Sequence, residues 1–171
     1  MALIAMTTAD TVEYVSDRDP CKRKTKVFKD PEVPSKGFDM KTEILEGATK
    51  FTLRPLDVFL MGHIYDNASQ LTGKEGSNEI GINTRINQTN IDAVRHGLCG
   101  IVNFADKNGD QMSFKSQKTH VNGRPYEVVH DDILNTLGIK LIGELADEIK
   151  RISEVTPDEE KNSEGALQPS G

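Results

Sequence analysis

The sequence is poor in the residues that build large aromatic cores and covalent frameworks. Its 171 residues include no Trp, three Tyr, six Phe and two Cys. The cysteines, Cys21 and Cys99, lie far apart and form no CxxC pair, so we expect free thiols and no disulfide framework. Hydrophobic residues make up 36% of the chain, which predicts a small and mainly aliphatic core.

An excess of basic residues and long apolar runs are also lacking. Lys and Arg number 21 against 27 Asp and Glu, which gives a formal net charge of −6. This balance is poorly suited to a dedicated DNA-binding domain. No apolar run approaches the roughly 20 residues of a membrane-spanning helix. The apolar start, residues 1–6, is too short for a secretory signal peptide, and we expect a protein that does not enter membranes.

Recognisable catalytic motifs are missing as well. The sequence has no GxxxxGK[ST] loop, GxGxxG turn, HExxH helix or GxSxG elbow. Its four histidines are not spaced as pairs of metal ligands, and Asp106–Asp110 lacks the Gly and Glu positions of a calcium loop. We therefore assign no catalytic residue, no metal and no cofactor, and expect a protein that is not an enzyme. An unrecognised hydrolase is the alternative.

Composition divides the chain into three parts. Residues 1–48 are predicted to form an irregular, extended arm rich in Pro, with short strands at Val12–Val15 and Lys26–Phe28. Residues 49–155 are predicted to form the body, and residues 156–171 a disordered acidic tail. The arm carries a basic cluster between Arg18 and Lys29. That cluster could be solvated, or could bind the tail, an acidic protein or phosphate, although no interleaved aromatics favour nucleic acid.

Hydrophobic periodicity predicts the elements of the body. They are a strand at Lys50–Arg54, helices at Leu56–Gln70 and Thr84–Leu98 separated by a polar link at Thr72–Asn83, a hairpin pairing Ile101–Phe104 with Gln111–Phe114, a turn at Asn122–Pro125, an extended segment at Tyr126–Val129, a helix from Asp131 or Asp132 to Leu137, and a helix at Ile139–Val155. The fold class is therefore α+β: a small antiparallel β element packed with three or four helices.

Five residues are candidates for binding a partner. Leu141, Leu145 and Ile149 recur on one face of the last helix, which predicts either a partner surface or ordinary core packing. Phe59 lies on the apolar face of the first helix of the body. Arg54 ends a strand before a proline, where its guanidinium could pair with a carboxylate or form a local salt bridge.

Short signatures along the chain resemble tailed-bacteriophage morphogenesis proteins, and tail assembly chaperones in particular. The segments that carry the resemblance are Glu13–Pro20, Thr49–Val58, Gly97–Phe104, Glu144–Ala146 and Glu159–Ser163. Such proteins similarly have a strand of the type F-x-L-R-P-L that leads into a helix, and an acidic helical C-terminus. The Pro-rich arm and the central hairpin depart from the simplest version of this pattern.

The resemblance implies a non-enzymatic role in tail morphogenesis, with the tape-measure and tail-tube proteins as partners. It implies a location in the cytoplasm of the infected bacterium, or in the virion. A minor structural component of the virion, such as a head–tail connector, and a phage inhibitor of a host defence protein are the alternatives. The exact partner, the host and self-association stay open.

Overall fold

The computed structural model of the chain describes residues 9–69 and 79–154. These residues form an α+β fold with three helices and three small antiparallel sheets. The elements in chain order are β1 (Val12–Tyr14), β2 (Lys22–Phe28), a 3-10 turn (Pro34–Lys36), β3 (Phe38–Ile44), β4 (Lys50–Leu53), α1 (Val58–Ser69), α2 (Glu79–Gly97), β5 (Leu98–Val102), β6 (Ser116–Val121), β7 (Arg124–Val129) and α3 (Asp131–Glu154). The predicted acidic tail, residues 156–171, lies outside the described residues, as does the first part of the predicted polar link.

The central sheet has the strand order β1-β4-β5, and all its pairs are antiparallel. In β4, Phe51 and Leu53 alternate with more exposed residues, which is the pattern of a strand with one buried face. Phe51 is paired with Tyr14 on one side and with Ile101 on the other. The strand predicted at Lys50–Arg54 is therefore confirmed as the centre of this sheet, and it ends one residue earlier, at Leu53.

A regular hairpin interrupts the segment that was expected to be irregular. Strands β2 and β3 pair antiparallel over their full length, from Lys22 opposite Ile44 to Phe28 opposite Phe38. Pro31 and Pro34 lie in the connection between the strands and Pro20 lies before β2, so none of them breaks the ladder. The sequence analysis predicted only Lys26–Phe28 of this hairpin as a strand. Pairing between residues 22–28 and residues 38–44 cannot be detected from the periodicity of either segment alone.

The hairpin predicted between Ile101–Phe104 and Gln111–Phe114 is wrong in its strands. Ile101 pairs with Phe51 of β4 instead, and Asn103 has a φ of 56° that ends β5. The turn around Gly109 is closed by a bridge between Ala105 and Gln111, and the Met112 NH donates a hydrogen bond to the Phe104 carbonyl at 2.8 Å, so the predicted strands meet at their turn ends alone. Burial of Ile101 beside Phe51 in the core favours the long-range pairing over the local one. The turn near Asn122 is confirmed, and it joins β6 to β7.

Helix boundaries differ from the predicted ones for identifiable reasons. Asp57 accepts hydrogen bonds from the backbone NH groups of Phe59 and Leu60, both at 2.9 Å. It is therefore the N-cap of α1, which begins at Val58 and not at Leu56. Helix α2 begins at Glu79, before the predicted Thr84, and ends at Gly97. In α3, Gly138 has a φ of 72° and interrupts the helix where the sequence predicted a break.

The core lies between the central sheet and the three helices. Its fully buried side chains come from β4, α2, β5, β7 and α3. The largest of them are Phe51, Leu53, Leu98, Ile133, Leu145, Ile149, Val94, Val128 and Val129. This core is mainly aliphatic, as the composition predicted, and it leaves the β2–β3 hairpin outside.

Candidate protein-interaction surface

The β2–β3 hairpin is the most exposed regular element among the described residues. Every residue of β3, and every residue of β2 after Lys22, is exposed. Within residues 9–69 and 79–154, neither strand packs extensively on any element other than its partner strand. A two-stranded ribbon alone is marginally stable in water, so one with exposed apolar side chains is typical of a surface that another molecule covers.

The strand register sorts the hairpin side chains onto two faces. Paired residues lie on the same side of a sheet, and successive residues alternate sides. One side, which we call the hairpin face, carries three lysines and four large apolar side chains. Its members are Lys22, Lys24, Lys26, Phe28, Phe38, Met40, Thr42 and Ile44.

Charge and apolar area lie side by side on the hairpin face. The lysines lie in β2, whereas Met40 and Ile44 lie in β3, where their exposed fractions are 51% and 49%. At the end near the turn, the rings of Phe28 and Phe38 meet edge to face, with centroids 6.3 Å apart. The ammonium of Lys26 lies 4.5 Å from the Phe38 ring centroid. All formal charges on this face are positive, in a protein whose net charge is −6.

The opposite side of the hairpin is different in chemistry. Arg23 lies opposite Glu43, and Asp39 lies opposite Val27 and forms a 3.6 Å ion pair with Lys29. Its charges are mixed in sign, and Val27 is its one large apolar residue. Only the hairpin face therefore combines a single sign of charge with apolar area.

Asp17 ties the hairpin face to the segment after β1. Its carboxylate contacts the ammonium groups of Lys22, at 2.6 Å, and Lys24, at 2.8 Å. Hydrogen bonds from these lysines lower the pKa of Asp17 to about 2. Lys22 also donates to the Val15 carbonyl at 2.7 Å, and its ammonium lies 5.3 Å from the Tyr14 ring centroid.

Glu144 of α3 connects this segment to the body. It accepts hydrogen bonds from the Tyr14 hydroxyl and from the Asp17 backbone NH, both at 2.8 Å, and lies 3.4 Å from Arg18. Burial raises the pKa of Glu144, but hydrogen bonds from Ser16, Asp17 and Tyr14, with the charge of Arg18, outweigh it and hold the pKa below its usual value. The base of the hairpin is therefore fixed on the body through charged hydrogen bonds.

Arg54 lies at the point where β4, α2 and β7 meet. Its Nε donates to the His96 carbonyl at 3.0 Å, and its terminal nitrogen Nη2 donates to the Glu127 carbonyl. The carboxylate partner predicted from the sequence is absent from its described contacts, because two main-chain carbonyls occupy the guanidinium. Arg54 joins elements of the body in this structure.

Phe59 is 55% exposed on α1, beside Val58 at 74%. The guanidinium carbon of Arg124, the first residue of β7, lies 3.5 Å from its ring centroid. The contact is a cation–π interaction between α1 and β7. Phe59 thus lies on the surface, as a binding residue must, but Arg124 covers part of its ring.

The predicted face of the last helix lies in the core. Leu145 and Ile149 are fully buried, and Leu141 is partly buried against the same cluster. Of the two alternatives left open by the sequence, core packing is what this structure contains. These three residues, Arg54 and Phe59 do not converge on one site.

Small cavities lie at the surface of the body, and two of them are lined entirely by described residues. One, of about 120 Å³, lies beside Arg54 and Cys99, and the other, of about 210 Å³, beside Arg18, Phe104 and Leu141. Burial raises the pKa of the Cys99 thiol, which disfavours the reactive thiolate. The first cavity is also lined by Ser116 and Glu127, and the Ser116 hydroxyl donates a hydrogen bond to the Glu127 carboxylate. Both residues are exposed to solvent, and this bond joins β6 to β7.

The described residues also bear on metal binding and on membrane insertion. Across 9–69 and 79–154, no group of three or more His, Cys, Asp or Glu side chains is placed to hold a metal ion. The described helices include none with the length and apolar character to cross a bilayer.

Comparisons with protein-family models, curated proteins and solved structures each returned no significant match. Among the described residues, the hairpin face is the surface that indicates a binding function. Sequence reasoning found its lysines but missed Phe38, Met40 and Ile44, which come from the facing strand. The sequence does contain a signal for this hairpin. Lysine occupies every second position of Lys22–Lys26, and apolar and charged residues alternate from Phe38 to Lys41, on either side of a Pro-rich connection.

Proposed function

We propose that this protein is a non-enzymatic factor of bacteriophage tail morphogenesis, a tail assembly chaperone that binds the tape-measure and tail-tube proteins. The observation that supports a binding role is the hairpin face, where Phe28, Phe38, Met40 and Ile44 are each between 43% and 51% exposed. Large apolar side chains gathered on one exposed face are costly unless another molecule buries them. The phage assignment depends on the resemblance of the short sequence signatures.

The anchoring of the hairpin also supports a binding role. A ribbon held at its base by Asp17 and Glu144 keeps a defined orientation, which lowers the entropy lost when a partner binds. The three helices and the central sheet supply a stable platform for this element. A binding role needs no reactive group. It is consistent with the Cys99 thiol, whose pKa is raised by burial and which therefore stays protonated.

Co-expression with the proteins encoded beside it tests the proposal. The affinity-tagged full chain is expected to capture the tape-measure or tail-tube protein, and the Phe28→Ser/Phe38→Ser variant to lose that capture. Val58→Ser removes an apolar side chain that is 74% exposed outside the hairpin, and should capture normally. Mass spectrometry of purified virions is expected to find no copies of a chaperone. Capture of neither tail protein, or a fixed copy number in the virion, contradicts the proposal.

A further inference from the structure

The hairpin face has a definite shape and charge pattern that restrict what can cover it. We infer that its occupant is an amphipathic helix of a partner protein, with a stripe of acidic side chains beside a stripe of apolar ones. This inference rests on the proposed function, since it names the partner chemistry for the same face. It depends on the positions of the lysines, of the apolar side chains and of the Asp17 anchor.

The division of the face between its two strands sets the order of the stripes. Lys22, Lys24 and Lys26 line β2, and Met40 and Ile44 line β3. The two strands of a sheet lie about 4.8 Å apart, and a helix with its side chains is about 10 Å wide. A helix lying along the ribbon would therefore contact both rows at once, with carboxylates over β2 and apolar side chains over β3.

The length of the ribbon sets the length of the helix. Each strand has seven residues, which at about 3.3 Å per residue is roughly 20 Å. A helix rises about 1.5 Å per residue, so about 14 residues cover this distance. The Phe28 and Phe38 rings, at the end near the turn, would contact its last apolar side chain.

A partner strand fits less well. A strand would pair along an edge of the ribbon and leave Phe38 and Met40 exposed on the face. Alternating lysines also protect the β2 edge against such pairing. A second copy of this chain would bring the same positive face against itself, which is unfavourable.

Nucleic acid also fits less well. Phosphates would match the lysines of β2, but the row of Met40 and Ile44 offers them nothing. The whole chain carries a net charge of −6, which opposes association with a polyanion more than with a helix that bears a few carboxylates.

A designed peptide tests the inference. The probe is a helical peptide of about 14 residues with a leucine stripe beside a glutamate stripe, titrated into the ¹⁵N-labelled full chain and followed by amide shifts. We expect shifts in β2 and β3, and weakening by about tenfold in Lys24→Gln/Lys26→Gln. Lys24→Arg/Lys26→Arg should restore binding. Arg23→Gln/Lys41→Gln removes two charges from the opposite side and should bind within about twofold of the original chain.

Defined outcomes overturn the inference. One such outcome is the absence of amide shifts at millimolar peptide, and another is an equal loss of affinity in the two glutamine double variants. A third is equal affinity for a peptide that has lysine in place of glutamate. A fourth is larger amide shifts in the hairpin with a thymidine oligonucleotide than with the peptide. Binding only after deletion of residues 155–171 would assign the face to the chain's own acidic end, and also overturns it.

The two proposals can fail separately. Capture of tail proteins that survives Lys24→Gln/Lys26→Gln would overturn the helix inference and leave the proposed function. Peptide binding to the hairpin face without capture of any tail protein would overturn the proposed function and leave the helix inference.

Discussion

Gly97 lies where α2 ends against α3, and this site tolerates no side chain. A Cβ built on Gly97 would lie 2.6 Å from Cγ2 of Ile149. Ile149 is fully buried and has no room to turn away. The packing of the Ile149 side chain against the backbone of Gly97 therefore requires glycine here.

Replacement of this glycine gives a prediction with a matched control. Gly97→Ala should lower the free energy of unfolding by about 1–3 kcal/mol through overpacking. Gly62→Ala adds the same methyl group at an exposed position of α1, where nothing lies within 4 Å, and should raise stability by about 0.5–1 kcal/mol. Urea unfolding measures both variants. A gain in stability from Gly97→Ala would contradict the packing described.

The junction between α3 and the start of the hairpin is an ionic one. Glu144 accepts hydrogen bonds from Tyr14 and Asp17, residues more than a hundred positions away in the chain. One turn later on the same helix, Glu148 pairs with Arg151 at 2.9 and 3.0 Å, within the helix itself. The two carboxylates of α3 therefore have different structural roles. Glu144 bonds to the segment that leads into the hairpin, whereas Glu148 bonds to Arg151 of its own helix.

Neutralising each carboxylate separates these two roles. Glu144→Gln should cost about 1–3 kcal/mol, because charge-assisted hydrogen bonds between elements are lost. Glu148→Gln should cost no more than about 0.5 kcal/mol, as for other pairs within a helix. Urea unfolding gives the energies, and amide hydrogen exchange at Asp17 should increase only in Glu144→Gln. Equal costs for the two variants would show that the junction does not fix the hairpin.

The stability of the entire fold is expected to depend on pH through His96. Its ring is buried, its Nδ1 has no hydrogen-bond partner among the described residues, and it meets the Tyr126 ring edge to face. Burial, with the charges of Arg95 and Arg54, lowers the pKa of His96 to about 4, and the more weakly acting His63 adds to this while Asp57 opposes it.

The direction of the pH effect follows from the two states. An unfolded histidine has a pKa of about 6.5, so between that pH and about 4 the unfolded state binds a proton that the folded state does not. The free energy of unfolding therefore keeps the full contribution of neutral His96 above about pH 6.5, and it decreases by roughly 3 kcal/mol as the pH falls to 4. Asp17, whose pKa is lowered to about 2, adds a separate loss below about pH 4.

Substitution of the buried histidine should remove the upper of these two losses. His96→Phe keeps a ring against Tyr126 without a titrating group, so its unfolding free energy should change little between pH 6.5 and 4. His120→Phe, at an exposed position of β6, should keep the original profile. Urea unfolding across this pH range measures both. Persistence of the decline in His96→Phe would assign it to other groups.

Features that depend on near neighbours in the chain were predictable. The strand around Phe51, the interruption at Gly138 and the turn near Asn122 were all predicted, because each is specified within a few residues. The α+β class and the aliphatic core followed from these elements and from the composition.

Pairings between distant segments could not be read from the same signals. Only packing of the full chain places Ile101 beside Phe51 and not in a local hairpin, since burial in the core favours the distant partner. The apolar stripe with Leu145 and Ile149 has the same periodicity whether it faces a partner or the core. Phe38 and Met40 join the lysines of β2 through cross-strand register, which no local run of residues encodes.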